Sequence, residues 1–297
     1  GDASYYDYVE KALYNTVIAG INIAGDRYFY VNPLEVVPEF CTEHTYMEHV
    51  KPVRQKWFGV ACCPPNVGRT LASLGQYIYA EDEYGVYINQ FISSTADTEV
   101  RESRLKIKMN STLLQDGKVQ IEVQSSGPGN LNIRIPWYSE KCECVQNGIS
   151  IEIQPEKGYQ RLSISPGDTY ISLDFHVSPR WMGANNGVRA DAGKAALMKG
   201  PLVYCLEEKE NGRYLSEIFI EENTSIEETA PAEELVGNVP TLSYKGIRVR
   251  NKGAAGENQL YGNVELEKEE VSLQAVPYCM WNNRGEGEML VWHKLRV

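Results

Sequence analysis

Two cysteines stand side by side at positions 62 and 63, in the stretch Trp57-Phe58-Gly59-Val60-Ala61-Cys62-Cys63-Pro64-Pro65-Asn66. A thiolate can bind a soft metal, attack carbon, or do both. The helical pattern that follows the pair places the positive end of a helix beside the sulfurs, which favours the anion. Arg54, Lys56 and Arg69 are near in sequence and add positive charge. Zinc takes cysteine sulfur at about 2.3 Å and normally needs four ligands, and this stretch offers two. The bland alternative is a pair of small buried side chains, since reduced cysteine packs as a hydrophobe.

The other candidates are weaker. Cys41, His44 and His49 have a spacing found in parts of zinc sites, on a polar stretch better read as an exposed loop. Cys142 and Cys144 lack a partner pair, Cys205 and Cys279 sit among apolar residues, and nothing points to catalysis by His176 or His293. There is no phosphate-binding glycine loop and no nucleophile elbow. Glu10 and Tyr30, taken alone, read as structural, with Glu10 on a helix face that its neighbours Asp7 and Lys11 make fit for solvent.

The elements that must position the pair follow from periodicity. Val9, Leu13, Val17 and Ile21 recur at helical spacing and predict a helix over 4–20. A second helix should follow the cysteines, with Pro64 or Pro65 in its first turn and Val67, Leu71, Leu74 and Ile78 as its buried stripe. From Val86 the period changes to two. Short strands are punctuated by Asp116-Gly117, Asn147-Gly148, Lys157-Gly158 and Pro166-Gly167-Asp168. A second β-rich stretch follows Trp181, with 221–236 as a solvated connection. The fold class is therefore mainly β, with two β-sandwich domains preceded by a short helical segment. The expected boundaries are 1–85, 86–180 and 181–297.

The 297 residues carry a formal charge of −11, which repels phosphate backbones and argues against nucleic-acid binding. No basic amphipathic stretch or long apolar run argues for a membrane. Seven cysteines, an odd and irregularly spaced set, imply reduced thiols and a cytoplasmic setting.

Three stretches carry a resemblance. They are Glu10-Lys11-Ala12-Leu13-Tyr14-Asn15-Thr16-Val17, then Phe29-Tyr30-Val31-Asn32-Pro33-Leu34-Glu35, then the cysteine-proline run. With Lys199-Gly200-Pro201-Leu202-Val203-Tyr204-Cys205 and the segment from Pro277 to Met289, they resemble the bacterial β-L-arabinofuranosidases of glycoside hydrolase family 127. The resemblance implies the C-terminal half of such an enzyme, in which residues 1–85 end an (α/α)₆ barrel. It implies a zinc-bound nucleophile at Cys62, with Cys63 as a second zinc ligand. It also implies sugar contacts at Glu10 and Tyr30 and an arabinofuranoside-type substrate. The remaining ligands, a Glu and a Cys, and the general acid/base belong to an earlier part of the barrel, so the chain alone is expected to be inactive. Trp57, Phe58, Leu71 and Leu74 would then lack cover and promote self-association or pairing with the rest of the barrel. A reading from another class is a non-catalytic β-sandwich module that binds carbohydrate or mediates assembly.

Overall fold

The computed structural model describes residues 1–60, 62–233, 235–254 and 260–296, with Ala254 described by its backbone alone. Ala61, within the cysteine-proline run, and Glu234, within the expected connection, lie outside these. The chain is mainly β and divides into two compact units. One comprises Gly1–Tyr14 with Pro64–Ser178, the other Asn15–Cys63 with Pro179–Val297. The stretch 1–85 is thus shared between them.

In the first unit, strand residues alternate between buried and exposed, as period two requires. Ser94–Val100, Ser103–Ser111, Lys118–Ser125, Gly167–Asp174, Glu143–Gln146 and Ile149–Ile151 form a six-stranded sheet in that order. Tyr159–Ile164, Gly129–Arg134, Gly85–Ile88 and Tyr79–Asp82 form a four-stranded one. Ile107, Met109, Ile121, Val123 and Leu173 from the first sheet share one core with Val86, Ile88, Leu131, Ile133 and Leu162 from the second. The predicted turns hold: Asn147-Gly148 and Lys157-Gly158 both have two successive positive φ angles, the geometry of a tight hairpin.

The second unit departs from the expected sandwich. Its strands close a ring: Lys194–Lys199, Leu202–Glu207, Leu266–Pro277, Thr241–Asn251, Ile218–Glu221 and Trp292–Arg296, which pairs back onto Lys194–Lys199. All these pairings are antiparallel except that of Ile218–Glu221 with Trp292–Arg296. Closure leaves these six without an open edge. Tyr204, Cys205 and Leu206 are buried in succession, so this strand is covered on both faces. His293 is wholly buried there, with Nε2 2.6 Å from the Tyr244 hydroxyl, and burial pushes it down to about 4, so it is neutral. Ile226–Thr229, inside the expected solvated connection, pairs with Thr241–Asn251 as a further strand.

The first helix is also altered. Ser4–Lys11 is α-helical, but Ala12–Val17 winds as a wider π-helix. The change of pitch rotates the following side chains, so of the expected stripe only Leu13 is buried. Asn15 turns inward instead. Its Nδ2 donates to the Pro201 carbonyl at 2.9 Å and its Oδ1 accepts from the Val203 N–H at 2.8 Å.

Candidate active site

The second helix begins at Cys63 and runs to Ala72, with both prolines in its first turn, where their missing N–H groups cost nothing. Cys62 is exposed and Cys63 half-buried. Their sulfurs lie 3.8 Å apart. Two ligands of a tetrahedral site with metal–sulfur bonds of about 2.3 Å are separated by about 3.8 Å, so the pair has the spacing of two zinc ligands. No cluster of three or more metal-ligating side chains occurs among the described residues. The donor set therefore fits two positions of a site and leaves the others to groups elsewhere. Burial first, then the Cys62 sulfur beside it, raises the Cys63 thiol above its usual value.

The loop that delivers the pair is anchored at its root. Arg54, expected to act on the thiols by its charge, points into the core instead and is 2% exposed. Its Nη1 donates to the Trp281 carbonyl at 2.7 Å and its Nη2 to the Ala19 carbonyl at 2.9 Å. The guanidinium lies 4.5 Å from the centre of the Phe29 ring, which stacks on Trp281 at 4.7 Å. Burial pushes Arg54 down to about 10, leaving it charged near neutrality.

Beneath Arg54, the Asn282 side chain accepts from the Arg54 backbone N–H and donates to the Pro52 carbonyl. The Asn282 N–H in turn donates to Glu207 at 2.7 Å. Arg284 pairs with Glu207 and, at 2.6 Å, with Glu210, in a nearly water-free cluster. Phe29–Glu35 joins the same region: Tyr278 donates its hydroxyl to the Pro33 carbonyl, and Glu35–Val36 pairs with Met289–Leu290. Two of the recognised stretches, far apart in sequence, thus meet under the cysteine loop. Sequence reading missed Arg54, Asn282 and Arg284 as positioning residues, because nothing local sets them apart from the charged and polar residues around them.

Tyr28, buried, donates its hydroxyl to the Val60 carbonyl at 2.9 Å, tying the loop just before the cysteines. Tyr30 is 48% exposed, with its ring 5.8 Å from that of Phe58. Trp57 and Leu71 are also exposed, and Leu71 with Val67 and Leu74 does not form the buried stripe that helical spacing predicts. The Cys41 group separates: Cys41 is buried and within 3.5 Å of the Val37 carbonyl, while His44 and His49 face solvent.

Glu10 belongs to the other unit and is not on an exposed face. It is fully buried, 2.6 Å from Nη2 of Arg134, whose Nη1 reaches Asp7 at 2.5 Å. Arg134 Nε also donates to the Asn89 carbonyl. Burial raises the Glu10 and Asp7 carboxyls above their usual values against the pull of Arg134, and Arg134 is held firmly protonated by the two acids. The cluster fixes helix Ser4–Lys11 to the sandwich, aided by the Ala3 N–H on Lys157 and Gln90 on the Tyr6 carbonyl.

Comparison with known proteins agrees in order along the chain. Residues 1–76 match the β-L-arabinofuranosidase, GH127 catalytic domain; 85–175 match the middle domain; 179–294 match the glycoside hydrolase family 127 C-terminal domain. The chain belongs to glycoside hydrolase family 127. It is 35% identical to a non-reducing end β-L-arabinofuranosidase of Bifidobacterium longum subsp. longum, across 98% of this chain and 45% of that protein. A GH127 β-L-arabinofuranosidase from Geobacillus stearothermophilus T6 superimposes with a TM-score of 0.91 at 38% identity, over 99% of this chain and 47% of that one. A GH127 β-arabinofuranosidase, BT3674, gives 0.86 at 27%, over 100% and 46%. The chain spans about half the length of the relatives it matches.

Proposed function

We propose that this chain supplies the nucleophile-bearing end of the catalytic domain, with the middle and C-terminal domains, of a retaining glycoside hydrolase acting on β-L-arabinofuranosides. The observation that carries the reading is the adjacent thiol pair, sulfurs 3.8 Å apart, at the start of a helix. In the proposed reaction the Cys62 thiolate attacks the anomeric carbon while an acid protonates the leaving oxygen. Water then displaces the sulfur and releases the sugar with net retention, the two-step scheme of retaining glycosidases with sulfur in place of a carboxylate. Cys62 and Cys63 would hold zinc, which when bound stabilises the thiolate form.

Tyr28 and Arg54 tie down the loop that carries the sulfur in this proposal. In this reading half-exposed Tyr30 donates to a sugar hydroxyl. Glu10 would accept from a sugar hydroxyl, and only one that joins the Arg134 ion pair, because its carboxylate is committed there. The acid and the remaining zinc ligands lie outside this chain in the proposal, and exposed Trp57 and Val60 belong to the surface that the rest of the catalytic domain covers. The purified chain should therefore show no turnover of an aryl β-L-arabinofuranoside, with or without added zinc. Turnover that Cys62→Ser abolishes would show the site to be complete within these residues.

A further inference from the structure

The outer face of the six-stranded sheet carries a second candidate site, in the middle domain and independent of the thiol pair. Strand register places Asp97 opposite Lys106, Lys106 opposite Gln124, and Gln124 opposite Asp168, a straight rung across four strands. The next rung on the same face is Thr95, Lys108, Glu122 and Tyr170. All eight side chains are exposed, while the residues between them along each strand are largely withdrawn toward the core. An open depression of about 690 Å³ lies over this face. Each rung is about 14 Å long, three strand spacings of about 4.8 Å, which suits a chain of rings rather than one ring.

The chemistry of the rungs selects the ligand. Three carboxylates and two ammonium groups nearly cancel, so the groove has no net field to attract a polyanion or a basic peptide. Donors and acceptors alternate: carboxylate, ammonium and amide on one rung, hydroxyl, ammonium and carboxylate on the other. A sugar hydroxyl donates and accepts at once, so vicinal hydroxyls can match adjacent positions. Arg104 holds Asp97 bidentately at 2.7 Å, a pair that stays in place, whereas Lys108 to Glu122 at 3.5 Å and Gln124 Nε2 to Asp168 at 3.4 Å are long and solvated contacts that a ligand displaces at small cost. Tyr170, 58% exposed at the end of its rung, offers a flat apolar surface and a hydroxyl.

We infer that this groove binds a neutral oligosaccharide and so holds polymeric substrate near the enzyme. The choice of an arabinose-containing ligand rests on the glycosidase reading; the neutral-saccharide class rests on the groove alone. The test is calorimetric titration of the intact chain with soluble arabino-oligosaccharides, then with xylo- and gluco-oligosaccharides and with heparin. Binding of a neutral oligosaccharide, weakened at least tenfold by Tyr170→Ala and by Gln124→Ala, restored by Tyr170→Phe and unchanged by Cys62→Ser, supports the inference. Binding of xylo- or gluco-oligosaccharide alone keeps the groove and removes the arabinose assignment. Absence of binding to every neutral probe, binding of heparin in their place, or equal affinity in wild type and both alanine variants overturns it.

Discussion

The two units use the same device, a buried arginine bridging two acids, to opposite effect. In the first, Arg134 grips Asp7 and Glu10, so the acid with a candidate role is itself part of the anchor. In the second, Arg284 grips Glu207 and Glu210, and the thiol pair sits at the far end of a loop held through Asn282 and Arg54. Anchor and proposed nucleophile are separate residues there. A group consumed in an anchor is precisely placed but poorly available, whereas a group at the tip of an anchored loop is both placed and available.

Breaking the deeper anchor gives the largest expected effect. Arg134→Met strands Glu10 and Asp7 without their cation and should cost about 3–5 kcal/mol at pH 8 in urea unfolding. Both acids already have raised values in the folded state, so the native form holds their protons more tightly than the unfolded form does. Their contribution is therefore greatest at acid pH and is lost as pH rises from the ordinary carboxylate range through the raised folded values. The penalty of Arg134→Met should accordingly shrink toward pH 5; a penalty independent of pH would contradict the assignment.

Arg284→Ala is expected to cost about 3–4 kcal/mol, since Glu207 and Glu210 retain slightly more water than Glu10. It should also speed protease cleavage between Val53 and Cys63, because the support under Arg54 is lost. Unchanged cleavage would separate the cluster from the loop. At the small end, Arg104→Ala removes the fully exposed pair with Asp97 and should leave the melting midpoint unchanged. A clear drop would mean that exposure does not distinguish the two kinds of ion pair.

The first sandwich was legible because its strands alternate strictly and its hairpins carry Asn-Gly and Lys-Gly turns. Ser94–Val100 was not, because it is an edge strand with few apolar residues to mark its inner face. The second unit read as a sandwich because strand patterns record which residues are buried and not how a sheet's ends meet; closure rests on the pairing of Lys194–Lys199 with Trp292–Arg296. The cysteine pair was visible from adjacency alone. Burial of Glu10 was not, because its partner Arg134 lies over a hundred residues away and nothing local distinguishes a paired acid from a solvated one. Arg54 was misread for the same reason: a cation near a thiol in sequence pointed instead to carbonyls that only the fold brings to it.

The central claim concerns the sulfur of Cys62, and it can be tested in a completed catalytic domain. This chain joined to the N-terminal part of the Bifidobacterium longum relative, loaded with zinc, would be quenched in acid during turnover of an aryl β-L-arabinofuranoside and digested for mass spectrometry. The account predicts a pentosyl adduct on the peptide containing Cys62, absent from Cys62→Ser, whose turnover falls at least a thousandfold, by about 4 kcal/mol in barrier height. Undiminished turnover by Cys62→Ser, or an adduct on a carboxylate instead, would contradict it.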